Sequence, residues 1–228
     1  MQDGKRGATT NHDTGLTGII AVVCMLVDHM GVVFFPGHQW MRVVGRIAFP
    51  LFAWGVAIGA EHTRDIGKYA MRMLLMAVIS QPFFMGGLNH SLTEFNIFAT
   101  LFLGLVAIWG LKEHKEWMTV IALLLANVLT MDYGIRGVFF ILLLWATRNN
   151  PLALAGCVAA YCVTVWGYGS TVWRTELFDV KLQTTAMLAL PLMLWPRSKR
   201  TRTPRWLMYA VYPGHLAVIW IIREIMGR

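Results

Sequence analysis

Charge is scarce in this chain: only 14% of its 228 residues are Asp, Glu, Lys or Arg, while 57% are hydrophobic and the mean hydropathy is +0.55. Soluble domains carry nearly twice that share of charge, so the composition excludes an ordinary water-soluble fold. Cysteine is scarce too. Cys24, Cys157 and Cys162 all fall in apolar runs without metal-ligand spacing, and are expected to be small buried hydrophobes, not a disulfide frame or a nucleophile. There is no HExxH and no His/Asp cluster at ligand spacing on one helix, so no metal is expected. No glycine-rich nucleotide fingerprint occurs, which argues against NAD chemistry. No internal repeat with matched Gly/Pro-broken helices stands out, which argues against a repeat-built transporter.

What is present is apolar sequence in succession. Runs at about 15–35, 43–60, 69–86, 95–111, 117–131, 134–147, 151–168, 183–195 and 206–222 predict an all-α, polytopic transmembrane helix bundle of about nine helices, eight to ten. Runs 117–131 and 134–147 are short for a perpendicular span and are expected to be tilted, interrupted or joined at a tight turn. Residues 1–14 form a polar tail, 15–222 a single membrane domain and 223–228 a short C-terminal tail. No cleavage site follows the first run, so it is expected to be a retained anchor. With the N-terminus in the cytoplasm, Lys5, Arg6, Arg64, Lys68, Arg72, Lys112, Lys115, Arg148 and the basic run 197–205 fall on the cytoplasmic side. The opposite side carries fewer, Arg42, Arg136, Arg174, Lys181, Arg223 and Arg228, as the positive-inside rule requires. The run "RSKRTRTPR" then faces anionic headgroups of the bilayer; no nucleic-acid partner is implied.

Ionisable and amide side chains inside spans are costly and need a partner, a water-filled cavity or a chemical task. The chain has Asp28 and His29 in "LVDHMG", Arg46 in "GRIAFP", Gln81, Asn96, Asp132 with Tyr133, Gln183, and His215 in "YPGHL". At 1.5 Å per residue, His29 stands roughly 20 Å above the start of the first helix, past mid-membrane. Arg46, Asn96, Gln81 and Asp132 fall in the same outer layer, and His215 nearer the middle. Consecutive helical residues point about 100° apart, so Asp28 is expected to pair with Arg46 or Arg42 while His29 faces another group. A neutral histidine is a good base near neutral pH. A polar clamp holding three helices in register would use Asp28, His29 and Arg46 equally well.

The segments "MLVDHMG", "QWMRVVGRIAFPLFAW", "EHTRDIGKYAMRMLLMAVISQPF", "FNIFATLFLGL", "DYGIRGVFF" and "YPGHLAVI" resemble, in order and spacing, the TraX family of conjugal-transfer membrane proteins, itself similar to wider multi-helix membrane acyltransferases. The resemblance covers roughly 16–222 and is weakest over 150–180 and the basic loop. It implies an acetyltransferase of the bacterial cytoplasmic (inner) membrane, using acetyl-CoA to acetylate an amine or hydroxyl, such as a pilin N-terminus or a sugar. His29 is the expected base, with Asp28, Arg46, Asn96 and His215 beside it as proton-handling or oxyanion groups. Arg64, Lys68 and Arg72, spaced four apart, with His62, are the expected CoA-binding set. Gln81, Asp132, Tyr133 and Tyr212 are the expected substrate-binding residues. Direct transfer and a covalent acyl-histidine remain open, as do a proton-coupled transporter and a non-catalytic scaffold.

Overall fold

A computed structural model describes residues 10, 13–174, 179–195 and 205–227, with side chains omitted for 205–208. All of the basic run 197–205 but its last residue, and most of the N-terminal tail, lie outside the described residues.

The protein is an all-α bundle in which nearly every apolar run becomes helix. Asp13 accepts from the Gly15 backbone N–H and so starts α1, Thr14–Val33. The second run divides. α2, Gln39–Gly45, ends at Arg46, and α3, Ala48–His62, follows almost directly. Asp65 caps α4, Ile66–Leu88, which carries Pro82 in its interior. Asn96 caps α5, Ile97–Lys112, and α6, Glu116–Val128, packs beside it. α7 is Gly134–Thr147 and α8 is Pro151–Thr164, the latter opened by Asn150 and a proline in its first turn. The eighth run departs from expectation: Leu182–Ala189 is a 3-10 helix that passes into the short α9, Leu190–Leu194. α10, Arg205–Ile225, carries Pro213 inside.

Among the described residues, α1, the α2–α3 pair and α4 are long and apolar enough to cross a membrane, and five shorter apolar helices accompany them. Exposed Val120, Ile121, Leu124 and Val128 on α6, and Met71, Leu75, Val78 and Ile79 on α4, form outward apolar faces that suit lipid. Cys157 also faces outward, on α8, contrary to the expectation of burial; Cys24 and Cys162 are buried, and all three are free.

α3 is the central helix, packed against α1, α5, α7 and the 3-10 helix. It is apolar on every side, as an enclosed helix must be, and Ala53, Trp54, Ala57 and Ala60 are inaccessible. At the end where α1 begins, here the basal end, Glu61 takes a hydrogen bond from Trp145 Nε1 (2.6 Å) and pairs with Lys112 (3.5 Å) and Arg148 (3.3 Å), so one carboxylate ties α3 to α5 and α7.

At the far end, β1 (Glu94–Phe95) pairs in parallel with β2 (Thr130–Met131), and the Asp132 N–H continues the pairing to the Phe95 carbonyl. This pairing halts the fifth run at Val128 and puts Asp132 in the connection between α6 and α7. β3 (Thr171–Arg174) and β4 (Asp179–Lys181) form an antiparallel ribbon at the start of the 3-10 helix.

Candidate active site

Two helices bring histidines together. His29, about one turn from the end of α1, and His215, midway along α10, stack with ring centroids 5.0 Å apart and planes at 14°. His29 Nδ1 and His215 Nε2 are 2.7 Å apart. The other nitrogen of His215, Nδ1, lies 2.8 Å from the Val211 carbonyl, which can only accept. In the neutral pair His215 Nδ1 therefore carries the proton and Nε2 the lone pair, so His29 Nδ1 donates and His29 Nε2 is left basic. Among the described residues, no hydrogen bond engages that nitrogen.

Beside the pair, Asp28 is fully committed. Its Oδ1 accepts from Arg42 Nη1 and its Oδ2 from Arg46 Nη2, both at 2.8 Å, and Arg46 Nη1 reaches Gln183 Oε1 at 3.1 Å. Asp28 pairs with both arginines at once, and α1, α2 and the 3-10 helix are clamped together. The approach depends on Gly45: a Cβ there would sit 2.1 Å from Asp28 Oδ1. Arg46 Nε is buried with no partner among the described residues, so one guanidinium N–H remains for a ligand oxygen. Tyr133 stacks on Phe49 at 3.7 Å and interacts with Arg46 and Gln183. Asp132 is exposed at the surface but has protein packed close around its carboxyl, which pushes it up to about 6, against the pull of His90 and Arg46.

A cavity of about 470 Å³ runs up the bundle from the basal end. Thr14, His62, Thr63, Tyr69 and Arg72 surround its mouth, and Met25, Ile97, Phe98 and Tyr212 close its upper end. On α1 its wall is Gly15, Gly18, Val22 and Met25, a 3-4-3 spacing whose next member is His29. On α10 its wall is Tyr209 and Tyr212, and the next step of three is His215. The histidine pair thus crowns the same helix faces that line the cavity. Gly55 on α3 keeps the passage wide, for a Cβ there would meet nothing within 4 Å.

A family model described as TraX protein matches residues 15–223. The chain belongs to the TraX family. A probable fimbrial assembly protein, FimC of serogroup H1, from Dichelobacter nodosus is 31% identical, over 88% of this chain and 91% of that protein. Two proteins named TraX, from Escherichia coli and its strain K12, are 29% and 30% identical over 62% of this chain, which spans 60% of their length. No solved structure matches the chain.

Within this TraX-family chain the sequence-predicted residues separate into three groups. His29, Asp28, Arg46 and His215 lie together, with Tyr212 beneath the two rings. Of the basal set, Arg72 and His62 line the cavity mouth; His62 donates to the Ile58 carbonyl, and the Arg72 guanidinium lies 5.7 Å from the Tyr69 ring. Arg64 and Lys68 are exposed beside it, and Lys68 pairs with Asp65 (3.2 Å), whose carboxylate is held below its ordinary range chiefly by the Lys68 backbone N–H.

Asn96 and Gln81 are spent on each other and on backbone. Asn96 Nδ2 donates to the Ala77 carbonyl (2.7 Å) and Gln81 Oε1 (2.8 Å), its Oδ1 accepts from Phe98 N, and Gln81 Nε2 donates to the Glu94 carbonyl. Both amides lock α4 to α5 in this conformation, leaving no Asn96 proton for an oxyanion.

Sequence reasoning passed over Glu61, because Lys112 and Arg148 were accounted for by topology alone. The lone acid in the last turn of an apolar helix was the available signal.

Proposed function

We propose that this TraX-family chain is a multi-pass acetyltransferase of the bacterial cytoplasmic membrane, with the basal end in the cytoplasm, acetyl-CoA as donor and His29 as base. The observation that carries the reading is the cavity that runs from a basal opening bearing Arg72 and His62 up to Tyr212, whose ring lies against the His29–His215 pair. Its volume falls in the range of about 300–1,000 Å³ of small-molecule sites. From Gly15 to Met25 the α1 wall rises roughly 15 Å, enough for an extended pantetheine arm.

Arg72, with Arg64 and Lys68 outside the mouth, meets the CoA phosphates by charge. The arm runs upward between α1, α3 and α10, which presents the thioester below His29. The acceptor arrives from the far end, where Asp132 and Tyr133 line the approach. Its nitrogen or oxygen attacks the thioester carbon while its proton passes to His29 Nε2. Collapse of the tetrahedral intermediate breaks the carbon–sulfur bond, and the CoA sulfur takes the proton back from the imidazolium. The His215 Nε2 lone pair holds the Nδ1 proton of His29 throughout and supports its positive charge. The spare N–H of Arg46 is the candidate donor to the oxyanion. Asp28, with both oxygens occupied, positions the arginines and does no proton work.

A fimbrial assembly protein among the relatives supports a pilin-like amine as acceptor. The test is to reconstitute the purified protein in vesicles with radiolabelled acetyl-CoA and a pilin-like peptide. Label should pass to the peptide with a free N-terminal amine and not to one with that amine blocked. Label that stays wholly in CoA with peptide and with sugar acceptors overturns the reading.

A further inference from the structure

We propose that Tyr212 is the partition between the donor cavity and the His29–His215 pair above it, and that it moves on the Pro213–Gly214 step inside α10 to let the thioester meet His29. This deepens the transferase reading and rests on the cavity being the donor's path.

Three observations carry it. First, Tyr212 lines the upper end of the cavity and is 4% exposed, so nothing in this conformation passes it freely. Its ring stands edge-on to His29 (6.5 Å, 68°), to His215 (5.6 Å, 71°) and to Phe98 (5.1 Å, 89°), filling the space directly under the histidine pair. Second, the ring is wedged against α5: it meets Phe98 edge-on, and its hydroxyl oxygen lies by the Ile97 backbone N–H at the first turn of that helix. Third, the helix is weakened at this point. Pro213 brings no N–H to the Tyr209 carbonyl four residues back, and Gly214 has open space where a side chain would be. The hinge therefore lies between the cavity-lining Tyr209 and Tyr212 on one side and His215 on the other.

A membrane enzyme that takes a thioester from one face and an acceptor from the other needs such a division. Without it, water from the far face would reach the thioester carbon, add to it and release acetate and CoA with no acceptor consumed. A ring that yields only when the arm fills the cavity restricts this loss.

The experiment reads sidedness without needing activity. In the full chain with Cys24, Cys157 and Cys162 replaced by serine, Gly55→Cys places a thiol in the open part of the cavity. Oriented vesicles are treated from one face at a time with a charged, membrane-impermeant methanethiosulfonate reagent. With Tyr212 present, labelling comes from the basal face only. Tyr212→Ala, or Tyr212→Leu if alanine does not fold, raises labelling from the far face about tenfold, as expected when a minor open state becomes the only state. Tyr212→Phe keeps the ring and keeps the barrier. Rapid far-face labelling with Tyr212 intact, or sidedness unchanged in Ala and Leu variants, overturns the partition. If sidedness follows residue 212 while no variant releases CoA from acetyl-CoA, the partition stands and the transferase reading falls. If CoA is released but sidedness ignores residue 212, the partition alone falls.

Discussion

His29 Nδ1 donates to His215 Nε2 across 2.7 Å, and His215 in turn donates to the Val211 carbonyl, so a backbone acceptor on α10 dictates which nitrogen of His29 is basic. His215 is therefore a positioning residue for His29. Replacing it with alanine should lower kcat by on the order of 10²-fold, the lower end of general-base effects, with KM for acetyl-CoA little changed. Glutamine, which can accept from His29 Nδ1, should recover part of the loss. Steady-state kinetics of the two variants, with a pH profile of each, distinguish this from mere packing, which would move KM and stability together.

Asp28 holds two arginines from within the bundle, with about a tenth of its side chain exposed. Asp28→Ala leaves Arg46 charged, largely buried and without its carboxylate, which costs about 3–5 kcal/mol for a fully buried pair and falls near the low end here because Arg42 is 30% exposed. Gly45→Ala should also destabilise, since its new Cβ displaces Asp28 Oδ1. Thermal unfolding in detergent measures both; midpoints equal to wild type would show the clamp to be slack.

Asn96→Ala should reduce stability and leave the chemical step alone. It removes the cap of α5, worth about 0.5–2 kcal/mol, and the two amide hydrogen bonds to the Ala77 carbonyl and Gln81 Oε1, while the backbone N–H of residue 96 still donates to Gln81. A lower unfolding midpoint with kcat within a few-fold of wild type is expected at a temperature where both are folded. A loss of kcat comparable to that of the His29 variants would return Asn96 to the reacting atoms.

Asp132, in the connection between α6 and α7, titrates at about 6 in the folded protein against an ordinary value of 3.8. As pH rises through this interval the unfolded chain gives up its proton first. The folded state then holds more protons, and stability falls with pH until about 6, above which this contribution is flat. Asp132→Asn should lack that component. Unfolding midpoints of the two proteins between pH 4 and 7 should diverge in that sense; parallel curves would mean the carboxyl is solvated as in water.

How much of this was legible in the sequence follows from what periodicity can carry. An apolar run of twenty residues specifies α1 because nothing else buries it in a bilayer, and the short runs 134–147 and 151–168 likewise begin where their helices do. The break at Arg46 had a signal that periodicity overlooks: in "MRVVGRIAFP" Pro50 has no N–H for the Arg46 carbonyl four residues back, so the apolar run divides there. The β1–β2 pairing joins residues far apart in the chain, and no local pattern announces it. The 3-10 stretch Leu182–Ala189 shares its composition with α-helix.

The site was legible in its members more than in its pairings. Cost inside the membrane flagged His29, Asp28, Arg46 and His215, and helical geometry correctly separated Asp28 from His29. It could not say that His29 would meet His215, because their contact spans 186 residues. It also could not tell an amide awaiting substrate from one consumed by backbone, which is why Asn96 and Gln81 looked like site residues. Only the hydrogen-bond count separates the two cases.

The most direct measurement compares wild type, His29→Ala and Gly55→Trp for acetyl-CoA binding by thermal shift and for CoA release, in one detergent preparation. His29→Ala should bind as wild type does and lose turnover by about 10²–10⁴-fold. Gly55→Trp, which fills open space in the cavity, should fold but no longer bind the donor. Donor binding that is undiminished by Gly55→Trp, or turnover that survives His29→Ala, would contradict a cavity-fed histidine base.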